Sequence, residues 1–175
     1  MVCVKEDMIV HDISGKNVMV LGGAGFVGSA IVRELFNFKA HPVVYDNFLH
    51  GTKENIEEIK DKIEIVSGDI LDTWRMSDTI EKHEITYMID CVGDTYVPTC
   101  YEFPERFIDI NVKGTFNFLM ACRNSRIKRA LYVSSTEVYG NAQNIPMNEE
   151  HPINPFNVYA ATKCAADLLL SLIHI

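Results

Sequence analysis

Apolar residues in this chain gather into short runs, and most are followed by a segment with helical spacing. Val18 to Leu21 forms the first run and breaks into glycines at 22, 23, 25 and 28; Val27, Ala30, Ile31 and Leu35 then recur at the period of a helix. A second buried run, Val43-Val44-Tyr45, closes on Asp46. Asn47 to Gly51 reads as a loop, and Thr52 is placed to cap a short helix through Ile59. Ile63 to Val66 alternates as a third strand and leads into Gly68-Asp69-Ile70, after which Asp72 caps a helix of roughly Trp74 to Lys82. Ile85 to Val92 predicts a fourth strand. Pro104 opens a long helix to about Arg123, with Phe107, Ile110, Gly114, Phe118 and Ala121 on its inward face. Ala130 to Val133 is a fifth strand, ending in Ser134-Ser135-Thr136. A polar loop covers Gly140 to Pro155, and a last helix starts near Asn157 or Val158 and still runs at Ile175.

Strands alternating with helices predict βαβ units: an α/β fold with a Rossmann-type, doubly wound parallel sheet covered on both faces, five strands being present. The 175 residues, 47% hydrophobic, suffice for one core, so residues 16–175 are expected to form one domain behind an N-terminal arm of residues 1–15. The net charge of −8 is spread along the chain, which favours neither nucleic acid nor an anionic membrane surface as a partner. The five cysteines (3, 91, 100, 122 and 164) form no Cys-x-x-Cys pair and have no histidine at metal-ligand spacing. They read as reduced thiols in a reducing compartment, with no metal, and the cytoplasm is the expected location. Met1 to His11 carries Glu6 and Asp7 and lacks the apolar core of a leader, and no apolar stretch is long enough to cross a bilayer.

The glycine turn carries the first chemistry. Gly22 allows a sharp exit from the strand, Gly25 lets a pyrophosphate approach the backbone, and Gly28 lets the helix pack closely on the sheet. The free N–H groups and positive dipole end of that helix then face the phosphates. Asp46, eighteen residues beyond Gly28, can accept hydrogen bonds from both ribose hydroxyls and repel a 2′-phosphate, which selects NAD over NADP. A triphosphate-binding loop is excluded because Ser29 stands where its lysine belongs. Tyr159 and Lys163 form the second constellation: four apart, they share a helix face, and an ammonium near a phenol favours phenolate, making Tyr159 a candidate general base. A hydroxyl at the end of the fifth strand would share the substrate's proton, at the strand ends where open α/β sheets bind ligands.

In this order the motifs resemble the extended short-chain dehydrogenase/reductase family, specifically its NAD-dependent nucleotide-sugar epimerases and dehydratases, with UDP-glucose 4-epimerases as the nearest type. The resemblance covers about residues 16–173. It rests on Gly22-Gly-Ala-Gly-Phe-Val-Gly-Ser29, Tyr45-Asp46-Asn47, Gly68-Asp69-Ile70, Asn111-Val-Lys-Gly-Thr115, Ser134-Ser-Thr-Glu-Val-Tyr-Gly140 and Asn154-Pro-Phe-Asn-Val-Tyr-Ala-Ala-Thr-Lys163. It implies cofactor contacts at Gly22, Gly25, Phe26, Val27, Gly28, Asp46 and Asn47, adenine-side contacts at Asp69 and Ile70, and a brace for the cofactor-side loop at Asn111. It further implies Ser135 as the catalytic hydroxyl, Tyr159 as base and Lys163 as ligand of the nicotinamide ribose. Cys91-Val-Gly-Asp94 departs from the small aliphatic residues often found there, at a place where contacts are mainly made by backbone.

The implied reaction begins with transient oxidation of a nucleotide-diphosphate sugar at C4 by NAD. The 4-keto sugar is then returned with inverted configuration, dehydrated or decarboxylated. Glu137 bears on the choice. The dTDP-glucose dehydratase type has an Asp-Glu pair where this chain has Thr136-Glu137, and Ser135-Thr136-Glu137 is similar to the GDP-mannose dehydratase and UDP-glucuronate decarboxylase types. Epimerases vary at this position, so 4-epimerase is the leading expectation, with Glu137 either a catalytic acid or a bystander. A non-catalytic NAD-binding protein would be expected to lack Tyr159 or Lys163, and a simple alcohol or steroid dehydrogenase usually has a glycine turn of different spacing. Family members run about as long again, which implies that this is an N-terminal part, inactive by itself, of a protein expected to form a homodimer.

Overall fold

A computed structural model describes residues 13–173. Most of the predicted arm, residues 1–12, lies outside the described residues. Its remaining part is tied down: Ile13 packs on the core and the Gly15 amide donates to the Lys39 carbonyl at 2.8 Å.

The five strands are β1 (Asn17–Leu21), β2 (His41–Asp46), β3 (Glu64–Ser67), β4 (Tyr87–Asp90) and β5 (Arg129–Tyr132). They form one sheet in the order β3-β2-β1-β4-β5, all parallel. Sequence order reverses between β1 and β4, which opens a crevice at the carboxyl ends of those strands. The alternation along each strand sorts the core into two layers. Met19, Leu21, Val43, Tyr45 and Met88 point to the face covered by α2 (Thr73–Lys82), α4 (Thr115–Arg123) and part of α5 (Val158–Leu172); Val18, Val20 and Val44 point to the face covered by α1 (Phe26–Asn37).

Four local expectations give way. No α-helix spans Thr52 to Ile59; two 3₁₀ turns, Lys53–Ile56 and Lys60–Lys62, replace it. Ile56 ends the first turn and Ile59 precedes the second, and both are buried against the sheet. In α1 the buried positions are Gly28, Ser29, Val32 and Leu35, while Val27 and Ala30 are exposed. The helix after Pro104 is continuous but composite: α3 (Pro104–Phe107), a π-helical segment (Ile108–Gly114) and α4. Of the expected inward face, Phe107, Gly114 and Phe118 are buried and Ile110 and Ala121 pack against the main core; Asn111 in the π segment and Cys122 are buried in addition. Finally, α5 closes at Leu172. Ile173 adopts extended backbone and packs its side chain against the main core, and positions 174–175 lie outside the described residues.

Among the described residues no helix is long and apolar enough to cross a membrane, and no cluster of His, Cys, Asp and Glu could hold a metal. Four cysteines are described, all free: Cys100 and Cys122 are buried, Cys91 and Cys164 half-buried. Burial pushes the thiols of Cys91 and Cys122 up to about 12, so both stay protonated at neutral pH.

Candidate functional site

The glycine turn is built as its spacing requires. Gly22 leaves β1 at φ +70°, its amide donates to the Tyr45 carbonyl at 2.9 Å, and the Gly25 amide returns to the Gly22 carbonyl at 3.0 Å. Gly25 is the N-cap of α1 with no side-chain hydrogen bond, and the first turn of the helix carries no acid. The first-turn amides therefore have no side-chain partner at the positive end of the helix dipole, an arrangement suited to a diphosphate. They border a cleft of about 330 Å³ at the crevice between β1 and β4, lined by Gly22, Gly25, Phe26, Val27, Gly28, Asp46, Asn47 and Ile70 among others. Phe26 is 93% exposed, so it serves the rim of the cleft and not the core.

Asp46, at the end of β2, is buried and lines the same cleft. Its Oδ2 accepts from the Ala24 amide at 2.9 Å and its Oδ1 from the Phe48 amide at 2.8 Å, clamping the glycine turn to the loop after β2. Asp69 organises the neighbouring loop: its carboxylate accepts from the Leu71 amide and from Asn47 Nδ2, and its carbonyl accepts from the Tyr45 hydroxyl. Asp69 itself does not line the cleft, whereas Ile70 does. Replacing Asp46 with serine is expected to weaken NAD binding but to raise NADP binding relative to NAD by roughly tenfold or more, because a repelling charge beside the 2′ position is lost. Isothermal titration with both dinucleotides checks the ratio.

The other constellation stands beside this cleft. Asn157 caps α5, its Oδ1 accepting from the Ala160 amide at 2.7 Å, and this sets the first turn that carries Tyr159. Tyr159 is buried, with its ring edge-on to Phe107 at 6.4 Å. Lys163, one turn on and 3% exposed, donates from Nζ to the Val133 carbonyl at 2.8 Å and lies 4.1 Å from the Tyr132 ring centroid. The two parts of the site meet at Gly93. A Cβ built there would lie 3.5 Å from Asn111 Oδ1 and 3.9 Å from Lys163 Nζ, and Gly93 also lines the cleft. The loop at Gly93 thus borders both the cleft and the lysine.

Asn111 is buried and hydrogen-bonded through both ends of its amide. Its Oδ1 accepts from the Asp94 amide at 2.9 Å, and its Nδ2 donates to the Asp94 carbonyl at 3.1 Å and to Thr162 Oγ1 at 3.0 Å. One buried side chain thus ties the loop after β4 to α5. Asn111→Leu leaves that loop's polar groups unpaired and is expected to cost about 2–4 kcal/mol in a urea titration. Ser135 Oγ accepts from the Glu137 amide at 3.2 Å, capping the 3₁₀ turn Thr136–Tyr139, and Ser134 Oγ donates to Asp167. The Glu137 carboxylate accepts from Asn157 Nδ2 at 2.8 Å, so it anchors the residue that caps α5.

Two groups of residues escaped sequence reasoning. Arg106, on α3, pairs with Asp94 Oδ2 at 2.5 Å and donates to His50 Nε2 at 2.9 Å, joining this helix to the loops after β4 and β2 around the cleft; nothing local in the sequence signals contacts so far apart. Asp90, the last residue of β4, is wholly buried, and burial pushes its carboxyl up to about 7. A folded value above the unfolded one stabilises the fold below about pH 4, and that stability is lost as pH rises through about 7. Relative to an Asp90→Asn variant, the chain is therefore expected to lose up to about 1.4 kcal/mol per pH unit between those limits, read by denaturant unfolding at several pH values.

An open parallel sheet with a glycine turn, an unpartnered helix N-terminus and an acid-tipped second strand defines a dinucleotide-binding α/β protein. Residues 18–174 match the model of the NAD dependent epimerase/dehydratase family, and the chain belongs to that family. It is 30% identical to a UDP-glucose 4-epimerase of Lactobacillus helveticus, over 88% of this chain and 46% of the relative. It is 33% identical to a dTDP-glucose 4,6-dehydratase of Mycolicibacterium smegmatis, over 87% of this chain and 47% of the relative. The crystal structure of UDP-glucose 4-epimerase from Brucella ovis in complex with NAD superposes with a TM-score of 0.83 at 36% identity, over 89% of this chain and 47% of that one. The chain thus spans about half the length of these relatives.

Proposed function

We propose that this chain supplies the NAD-binding half of a nucleotide-sugar 4-epimerase. The observation that carries the reading is the junction at Gly93, where a cleft suited to a dinucleotide adjoins the Lys163 ammonium and, one helical turn away, Tyr159. NAD, when bound, supplies a reversible hydride acceptor at the sugar's C4. The first-turn amides of α1 would hold the diphosphate, Asp46 the adenine-side ribose beside Asn47, Ile70 would border the adenine with Asp69 fixing the loop behind it, and Lys163 would hold the ribose at the other end. Tyr159 would take the proton of the C4 hydroxyl when the sugar is oxidised and return it when the keto sugar is reduced with inverted configuration. Ser135 shares that proton, while the Asn111 brace keeps the loop beneath in place.

Dehydration or decarboxylation is the second reading, because Glu137 follows Ser135 and one relative is a dehydratase. The bond from Asn157 Nδ2 to Glu137 favours the epimerase, since it gives the carboxylate an anchoring task that requires no chemistry. The full protein is proposed to act on a nucleotide-diphosphate sugar in the cytoplasm as a homodimer, with residues 16–175 as its cofactor domain. By itself the 175-residue chain is expected to bind NAD weakly and to turn over no nucleotide sugar. Incubating a protein of the relatives' length with UDP-sugars tests the reading: interconversion of C4 epimers without net NADH supports it, and a stable 4-keto product or CO₂ contradicts it.

A further inference from the structure

Lys163 is a buried ammonium with an incomplete set of partners. Its hydrogen bond to the Val133 carbonyl and its contact with the Tyr132 ring engage neutral groups, and neither supplies the negative charge that a desolvated cation calls for. Burial accordingly lowers its pKa. Three groups oppose this shift: Asp90 of β4, Asp167 on α5 itself and Cys91 after β4. Asp167 is half-buried and already accepts from Ser134 at 2.7 Å, and the Cys91 thiol stays protonated.

Asp90 differs from both. It is completely buried, its Oδ1 accepts from the Val92 amide at 2.9 Å, and its Oδ2 has no hydrogen-bond partner. The strand register sets it opposite Tyr132, and parallel neighbours in register project to the same face of a sheet, here the face under α4 and α5. The backbone draws the groups closer still, because the Val133 amide donates to the Asp90 carbonyl while the Val133 carbonyl receives Lys163 Nζ. Cys122 of α4 and the Tyr132 phenol, with Thr115 beside it, complete the surroundings. Burial raises the pKa of both the thiol and the phenol, so neither brings a competing charge at neutral pH.

We propose that Asp90, in its ionised form, is the buried counter-charge of Lys163, a positioning residue that favours the ammonium and its seat between Val133, the Tyr132 ring and Gly93. The catalytic meaning rests on the function proposed above, since it is Lys163 that carries Asp90's influence to the cofactor and to Tyr159. The electrostatic link belongs to the chain alone. It concerns a strand-end acid that touches neither the cleft nor the proposed substrate position.

The test is an NMR titration of the cofactor-free 175-residue chain, following Lys163 Cε and Asp90 Cγ. Coupling predicts a shared inflection, with the Lys163 signal reporting the ionisation of Asp90. In Asp90→Asn the Lys163 pKa should fall by about one unit or more, and Asp90→Glu should restore part of that shift. If Asp90→Asn does not fold, the shared inflection in the unaltered chain decides the matter. A Lys163 titration that ignores the ionisation of Asp90, or that is the same in Asp90→Asn, overturns the proposal. Because no cofactor is present, failure of NAD to bind would count against the proposed function and leave this result standing.

Discussion

Replacing Gly28 with valine is expected to abolish NAD binding and to cost at least about 3 kcal/mol of folding stability. A Cβ at position 28 would overlap the Gly22 carbonyl oxygen and approach the Gly22 carbonyl carbon and Gly23 Cα at 2.8 and 2.9 Å. All three atoms are backbone of the turn itself, so no side chain can swing aside. The helix must lift from the strand or the turn must open, and either movement takes the first-turn amides away from the diphosphate. Isothermal titration with NAD and urea unfolding of Gly28→Val read the two effects. Gly15 is the control: it lies at φ +69° with nothing within 4 Å of a built Cβ, so Gly15→Ala should strain its own turn while NAD binding persists.

Tyr159→Phe should lower turnover by about 10²–10⁴-fold in a protein of the relatives' length and leave NAD affinity within a few-fold. The ring would keep its edge-on contact with Phe107, and Asn157 would still cap α5, so the loss falls on proton transfer and not on folding. Lys163→Met is expected to act differently. Removing the ammonium vacates the place beside Gly93, so NAD affinity and turnover should fall together. Steady-state kinetics with a UDP-sugar, combined with NAD titration, separate the two patterns. Equal losses of both quantities in Tyr159→Phe would argue that the tyrosine only supports the fold.

The chain's large-scale order was legible because buried parallel strands and their following helices leave a coarse apolar rhythm. The glycine turn and Asp46 were legible because a strand–turn–helix pattern fixes their spacing, and Asn111 only because the motif around it resembles the family's. Prediction failed where apolar spacing was ambiguous or where an interaction crossed the fold. Ile56 and Ile59 share a face in an α-helix, yet here they sit at the end of one 3₁₀ turn and just before another, with both packed on the core. Burial of Asn111, a polar residue inside the π segment, is something an apolar helical period does not mark. The Glu137–Asn157 anchor, the Asp94–Arg106–His50 chain and the Asp90–Lys163 neighbourhood join distant segments, so their meaning appears only once the sheet has brought them together.

Binding of NAD to the ¹⁵N-labelled chain, mapped beside binding of AMP, bears most directly on whether one dinucleotide links the glycine turn to Lys163. AMP should shift the amides of Gly22 to Gly28 and of Asp46 and Asn47 alone. NAD should shift those and also Val92 to Asp94 and the side chain of Lys163. If NAD moved only the amides that AMP moves, or moved residues at the amino ends of the strands, the nicotinamide would not reach Tyr159 and the account of this site would be wrong.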